Sequence, residues 1–345
     1  MASWRAMSSR KPTSRDVATA AGVSQTTVSY VMSGRRAVSP ATQEKVLAAM
    51  QHLGYRPHRG ARALKSQRTH ILGVVVPYRL GADAAAQHHF LVCLATAARR
   101  HDYDLLLLTT DEGPAGLRRV IDSALCDGLL IMEVLTGDPR VETVRASHTP
   151  AVFIGLPTAD APGTDSPVTA VDADYVAAGR QAVDTLTRAG HHQLTLVLPD
   201  HPSLDHLNFL DRFAAGATEA SRQRGVELRE VRCGVDLAAT RARLAELAPA
   251  TGAAFILGPL VGADNWCNAL GAAGLPPGQA TSLIAAAWDP PHSHTLARPT
   301  HFDMRTAELA ERAVELLVAQ LSPARPTPAC ELLAPHLVAG NSVRG

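Results

Sequence analysis

Aromatic side chains are scarce in this chain. They make up 4% of its 345 residues, against 46% hydrophobic residues in all, so Ala, Leu and Val must do most of the packing. Cysteine is sparse as well: Cys93, Cys126, Cys233, Cys267 and Cys330 are scattered, odd in number and never spaced C-x-x-C. That argues against a disulfide framework or a structural zinc site and for a reducing compartment. No apolar run approaches the ~20 residues a membrane span needs. The stretch MASWRAMSSRKPTS has no apolar core of the secretory kind, so a cytoplasmic protein without a membrane partner is expected. Also missing are a G-x-S-x-G elbow, a Walker loop and a G-x-G-x-x-G turn. Histidines come in near pairs (His88-His89, His191-His192, His292 with His294), but no carboxylate or thiol stands at ligand spacing beside them. No enzymatic activity, cofactor or metal is therefore expected.

What is present is a strong charge asymmetry. The net charge is only +1, yet residues 1–70 hold twelve Lys/Arg and two acids, Asp16 and Glu44. The head is thus +10 and the remainder −9. A basic head on an acidic body is the electrostatic footprint of a nucleic-acid-binding module joined to something else.

The head is also patterned. TSRDVATAA (13–21) reads as a short helix that Thr13 can cap, with Asp16 near its positive end and Gly22 breaking it. Ser24 can cap a second helix, QTTVSYVMS, ended by Gly34. A third starts at Ser39-Pro40 and ends at Gly54, with Val46, Met50 and Leu53 at helical spacing. Two helices joined by a tight Gly-containing turn form a helix-turn-helix, which suits the major groove in size. The basic segment YRPHRGARALKSQRTH follows as a linker. The expected division is a DNA-binding domain over 12–57, a hinge over 58–70 and a body over 71–345.

In the body, apolar runs at 71–77, 104–110, 127–132, 150–156, 194–199, 253–258 and 281–288 alternate with helix candidates. The helices are expected near 84–101, 114–125, 174–189, 206–224, 236–248, 261–273 and 303–321. Such alternation predicts α/β architecture with parallel sheets covered on both faces. Roughly 275 residues exceed one usual domain and predict two lobes, the N-lobe over about 71–188 and 300–325 and the C-lobe over about 190–297 and 330–345. Ligands of such folds bind at the carboxyl ends of strands, between lobes.

An ordered set of head residues resembles the LacI/GalR family of bacterial transcription regulators. It comprises Asp16-Val17-Ala18, Ala21-Gly22-Val23-Ser24, Thr27-Val28-Ser29, Gly34, Val38-Ser39, Thr42, Lys45-Val46, Leu53-Gly54-Tyr55 and Pro57. It continues through Ala61-Arg62-Ala63-Leu64 and Leu72-Gly73-Val74-Val75-Val76-Pro77. The resemblance implies a helix-turn-helix head, a hinge helix and a two-lobe body like the periplasmic sugar-binding proteins. It implies a regulator, of repressor type, that binds a near-palindromic double-stranded operator as a homodimer at the nucleoid and answers to a small effector. The stretch after Ser322 has no heptads, so a coiled-coil tetramer is not expected.

Residue by residue, the resemblance makes Ser24 to Tyr30 the recognition helix, with Gln25, Thr26 and Tyr30 facing bases, Thr13, Ser24 and Thr27 holding phosphates, and Ser29 a further DNA contact. It makes Arg62, Leu64 and Lys65 hinge contacts, Leu64 being the wedge in the minor groove. In the body it points to Tyr78, Arg79, Arg212 and Asp289 as effector contacts. Tyr30 stands where many members carry Arg, Gly258-Pro259 where Asn-Asp is usual, Gly155 where Asp is common, and Arg212 one residue further from Gly216 than usual. A sugar and a nucleoside or other small metabolite are therefore both candidate effectors. A cytoplasmic small-molecule-binding or enzymatic α/β protein with an incidental basic head is the alternative, against which the full head motif counts.

Overall fold

The computed structural model describes residues 12–33, 36–55, 68–76, 84–109, 113–157, 168–204, 207–288, 293, 295, 297–323 and 327–344. The chain divides into two compact units, residues 1–70 and 71–345.

The first unit holds α1 (Ser14–Ala21), α2 (Gln25–Ser33) and α3 (Pro40–His52). Thr13 caps α1 in a reciprocal box: its hydroxyl accepts from the Asp16 amide, and the Asp16 carboxylate accepts from the Thr13 amide at 2.7 Å. Gly22 ends the helix in the left-handed region, at φ 65°, which a side chain would resist. Ser39 caps α3 and Pro40 fills its first turn. Val17, Ala18, Val28, Val46 and Ala49 close the core, with Met50 and Leu53 packed against it.

The second unit contains two six-stranded sheets. The first orders β11-β5-β4-β3-β1-β2 from β1 (Ile71–Val76), β2 (Asp104–Thr109), β3 (Gly128–Ile131), β4 (Ala151–Ile154), β5 (Thr169–Ala173) and β11 (Cys330–Leu333), all parallel. The second orders β12-β10-β9-β8-β6-β7 from β6 (Gln193–Pro199), β7 (Glu227–Cys233), β8 (Ala254–Leu257), β9 (Ser282–Ala285), β10 (Thr300–Asp303) and β12 (His336–Val338). Only β12 among these runs antiparallel to its neighbour.

Strand alternation sends side chains to opposite faces, and each face meets helices. In β1, Leu72, Val74 and Val76 pack under α4 (Ala84–Arg100) and α11 (Thr306–Gln320), while Val75 faces α5 (Gly113–Asp122) and α6 (Arg140–Ser147). In β6, Leu194, Leu196 and Leu198 meet α7 (Tyr175–Arg188) and α8 (Asn208–Arg224). Val197 meets α9 (Leu237–Leu247) and α10 (Ala263–Ala272) on the other face. Helices α7 and α8 cross at glycines: a Cβ on Gly179 would land on the Phe213 carbonyl, and one on Gly216 on the Val176 carbonyl.

The expected lobe limits need correction. Helix α7 (175–188) packs on the second sheet, not the first, so the C-lobe begins at the end of β5. Strand β10 (300–303) pairs with β9 and belongs to the C-lobe, whereas α11 returns to the N-lobe. Strand β11 (330–333) pairs with β5 in the N-lobe, and only β12 onward returns to the C-lobe. Lobe membership follows strand pairing, which apolar runs of similar composition do not reveal. The chain thus crosses between lobes three times, near Asp174, Met304 and Ala334. Two crossings are tied together where the Asp174 amide donates to the Leu333 carbonyl at 2.9 Å.

Candidate functional site

In the head, the N-termini of α1 and α2 lie side by side. Gln25 Nε2 donates to Ser14 Oγ at 2.8 Å, which joins them. Ser24 Oγ accepts from the Thr27 amide at 3.0 Å and shares a hydrogen bond with Thr27 Oγ1 at 2.9 Å. Ser24, Gln25 and Thr26 are exposed, Thr27, Ser29 and Tyr30 half-buried, and Val28 is buried, so one helix face anchors while the other is presented. The Arg36 guanidinium carbon stands 5.9 Å from the Tyr30 ring centre, within cation–π range. Hydroxyls and the positive ends of two helices together favour an anion such as a phosphate.

In the body, both sheets reverse strand order beside a central strand, between β1 and β3 and between β6 and β8. Such a switch point is where α/β folds bind ligands. Two non-glycine residues in the left-handed region follow these strands: Glu133 after β3 (φ 51°) and Leu260 after β8 (φ 65°). Glu133 Oε1 accepts from Gln87 of α4 at 3.4 Å.

Asp172, near the end of β5, and Arg212 of α8 form an ion pair between the lobes. The side chains are 7% and 16% exposed. Arg212 Nη2 also donates to the Ala173 carbonyl at 3.1 Å, and its guanidinium carbon stands 5.8 Å from the Tyr175 ring. Tyr175 in turn packs on Phe209 at 5.2 Å between ring centres. Burial pushes the Asp172 carboxyl up to about 6, although the Arg212 charge and hydrogen bond and the Ala173 amide pull it down. Burial, helped by the Asp172 charge, also raises the Tyr175 hydroxyl.

Arg212 is therefore engaged with Asp172 and Ala173 rather than turned toward open space. Trp288 is held by a hydrogen bond from its indole N–H to Asp264 Oδ1 at 2.9 Å, which Ser293 Oγ also reaches at 2.9 Å. Arg62, Leu64, Lys65, Tyr78, Arg79 and Asp289 lie outside the described residues. The sequence reading missed Asp172, Asn208, Asp264 and Glu133. For Asp172 the usable signal was an acid inside an otherwise apolar strand, TAVDA. For Asp264 it was a carboxylate in the first turn of a helix.

Residues 13–58 match the family model for the helix-turn-helix of "Bacterial regulatory proteins, lacI family". Residues 69–250, more than half of the chain, match that for "Periplasmic binding proteins and sugar binding domain of LacI family". The chain belongs to the LacI family. This LacI-family chain is 31% identical over 210 residues to the HTH-type transcriptional regulator AglR of Rhizobium meliloti, covering 60% of this chain and 57% of that one. It is 31% identical over 185 residues to RafR of Escherichia coli, covering 52% and 53%. The chain thus spans about half the length of the curated relatives it matches. Those relatives are named as transcriptional regulators, not enzymes. The lac repressor dimer bound to operator and an anti-inducer shares its fold, with TM-score 0.81 and 21% identity over 97% of this chain and all of that one. The CelR–cellobiose complex gives TM-score 0.66 and 25% identity, covering 96% and 99%.

Proposed function

We propose that this LacI-family member is a sequence-specific DNA-binding transcription regulator, a homodimer acting in the bacterial cytoplasm, at the nucleoid, on a near-palindromic operator. The observation that carries the reading is the head, where two helix N-termini lined with Thr13, Ser14, Ser24 and Thr27 flank an exposed helix start. Thr13, Ser24 and Thr27 hold phosphates, and Ser29 is a further DNA contact. Gln25 can fork onto adenine, Thr26 can touch a thymine methyl and Tyr30 covers a neighbouring base. Arg62 and Lys65 add backbone charge, and Leu64 is the minor-groove wedge. Two heads on one two-fold axis read two half-sites.

The body is the sensor. A small polar effector, a sugar or else a nucleoside-like metabolite, sits between the lobes, with Tyr78, Arg79, Arg212 and Asp289 as its candidate contacts. It changes operator affinity only by its different affinity for two lobe arrangements, a coupling of about 1–3 kcal/mol. A titration of fluorescent genomic fragments against the full-length protein tests the DNA reading. A tight, competitor-resistant complex is expected, its affinity falling steeply with salt by about 0.9 log units per log unit for each phosphate neutralised. No fragment outcompeting bulk DNA would sink it. Thermal-shift screening of small metabolites, followed by Asp289→Ala in a reporter assay, tests the sensor.

A further inference from the structure

The N-terminus of α8 belongs to the C-lobe, yet it is docked on the N-lobe. Leu207 makes an antiparallel bridge with Leu135, which follows β3. The Asn208 amide donates to the Val134 carbonyl at 3.4 Å. Its side-chain Nδ2 donates to the carbonyl of Leu156, just after β4. Asn208 is buried, and so are Leu204, Leu207 and Leu210, which pack with Leu135, Phe209, Val235 and Leu260 in one apolar cluster. Leu260 reaches that cluster from a left-handed backbone position after β8. Gly155 allows the close fit: a Cβ there would stand 2.7 Å from Val134 Cβ, and its φ of 126° is one that side chains rarely adopt. One helical turn on, Arg212 holds Asp172 and the Ala173 carbonyl across the same junction.

All these contacts are made by the chain itself. They remove leucine side chains from water, satisfy the carbonyls at two strand ends and pair a buried carboxylate. We infer that the segment Leu207–Arg212 is a built-in latch that holds the two lobes together through the chain's own contacts. An effector between the lobes then acts on this latch, by displacing it or reinforcing it. The inference concerns the body alone and stands whatever the head binds.

The test uses the full-length protein without DNA or effector. Bridge partners lie within the Cα separation that a disulfide tolerates. The double variant Leu135→Cys with Leu207→Cys is therefore expected to crosslink within one chain under mild oxidation, seen as a linked peptide pair at monomer mass. In a second arm, Leu207→Asp places a charge in the cluster. It is expected to speed amide exchange at Asn208 at least tenfold and to increase the radius of gyration in small-angle scattering. Absence of the intrachain link, or wild-type exchange at Asn208 as fast as in Leu207→Asp, overturns the latch. Neither readout involves DNA, so such a failure leaves the regulator reading intact.

Discussion

Asp172 is the residue at which chemistry and architecture meet. Its folded-state carboxyl sits near 6, above its ordinary value of 3.8, because burial outweighs the favourable charge and hydrogen bonds of Arg212. Between those two values the folded protein binds the proton more readily than the unfolded chain does. This group therefore makes stability fall as pH rises from about 4 to about 6 and contributes no further slope above that. Urea unfolding of the full chain across pH 4–7 should show that component in the wild type and lose it in Asp172→Asn. Arg212→Leu removes the only ion-pair partner among the described residues and leaves a buried carboxylate behind. At pH 7 it should cost about 3–5 kcal/mol, read from the denaturant midpoint. Both variants separate a positioning role at the lobe junction from direct effector contact, because the unfolding measurement contains no ligand.

Among the elements, α7 and α8 depend on two glycines at their crossing. Gly179→Ala or Gly216→Ala would push a methyl group into a backbone carbonyl that cannot swing aside. Each should lower stability by roughly 3 kcal/mol, at the upper end of overpacking effects, with a matching fall in Tm. In the head, Thr13→Ala removes half of a capping box and should cost about 1 kcal/mol, measured as the Tm of the head transition in the full chain. The elements themselves were unevenly legible in the sequence. The three head helices carried caps and glycine stops, and the long apolar strands announced themselves. Strands β5 (TAVDA), β7 (ELREVRC), β10 (THFD), β11 (CELL) and β12 (HLV) did not, nor did the short α6. They are short, or they lie at sheet edges where polar residues alternate with apolar ones. The site divides the same way. The caps of Thr13 and Ser24 could be read because capping is local. The engagement of Arg212 by Asp172 could not, because forty residues and a lobe crossing separate the pair.

For the whole molecule, the proposed dimer is open to sedimentation of the full-length protein at micromolar concentration, where a single species of twice the chain mass is expected. A stable tetramer or a strict monomer would each count against it. Leu64→Ala should weaken specific operator binding and abolish the bend seen by permuted-fragment gels, while leaving the unfolding of the body unchanged. The three lobe crossings carry a consequence for the growing chain. Helix α11 (Thr306–Gln320) and strand β11 (Cys330–Leu333) complete the N-lobe, and β12 (His336–Val338) completes the C-lobe. Neither sheet can be finished on the ribosome until the chain has been made beyond residue 330. The head, closed by residue 55, can fold while the rest is still being translated, on the order of tens of seconds ahead at ~5–20 residues per second. A nascent chain would therefore present its helix-turn-helix before the proposed sensor exists to govern it.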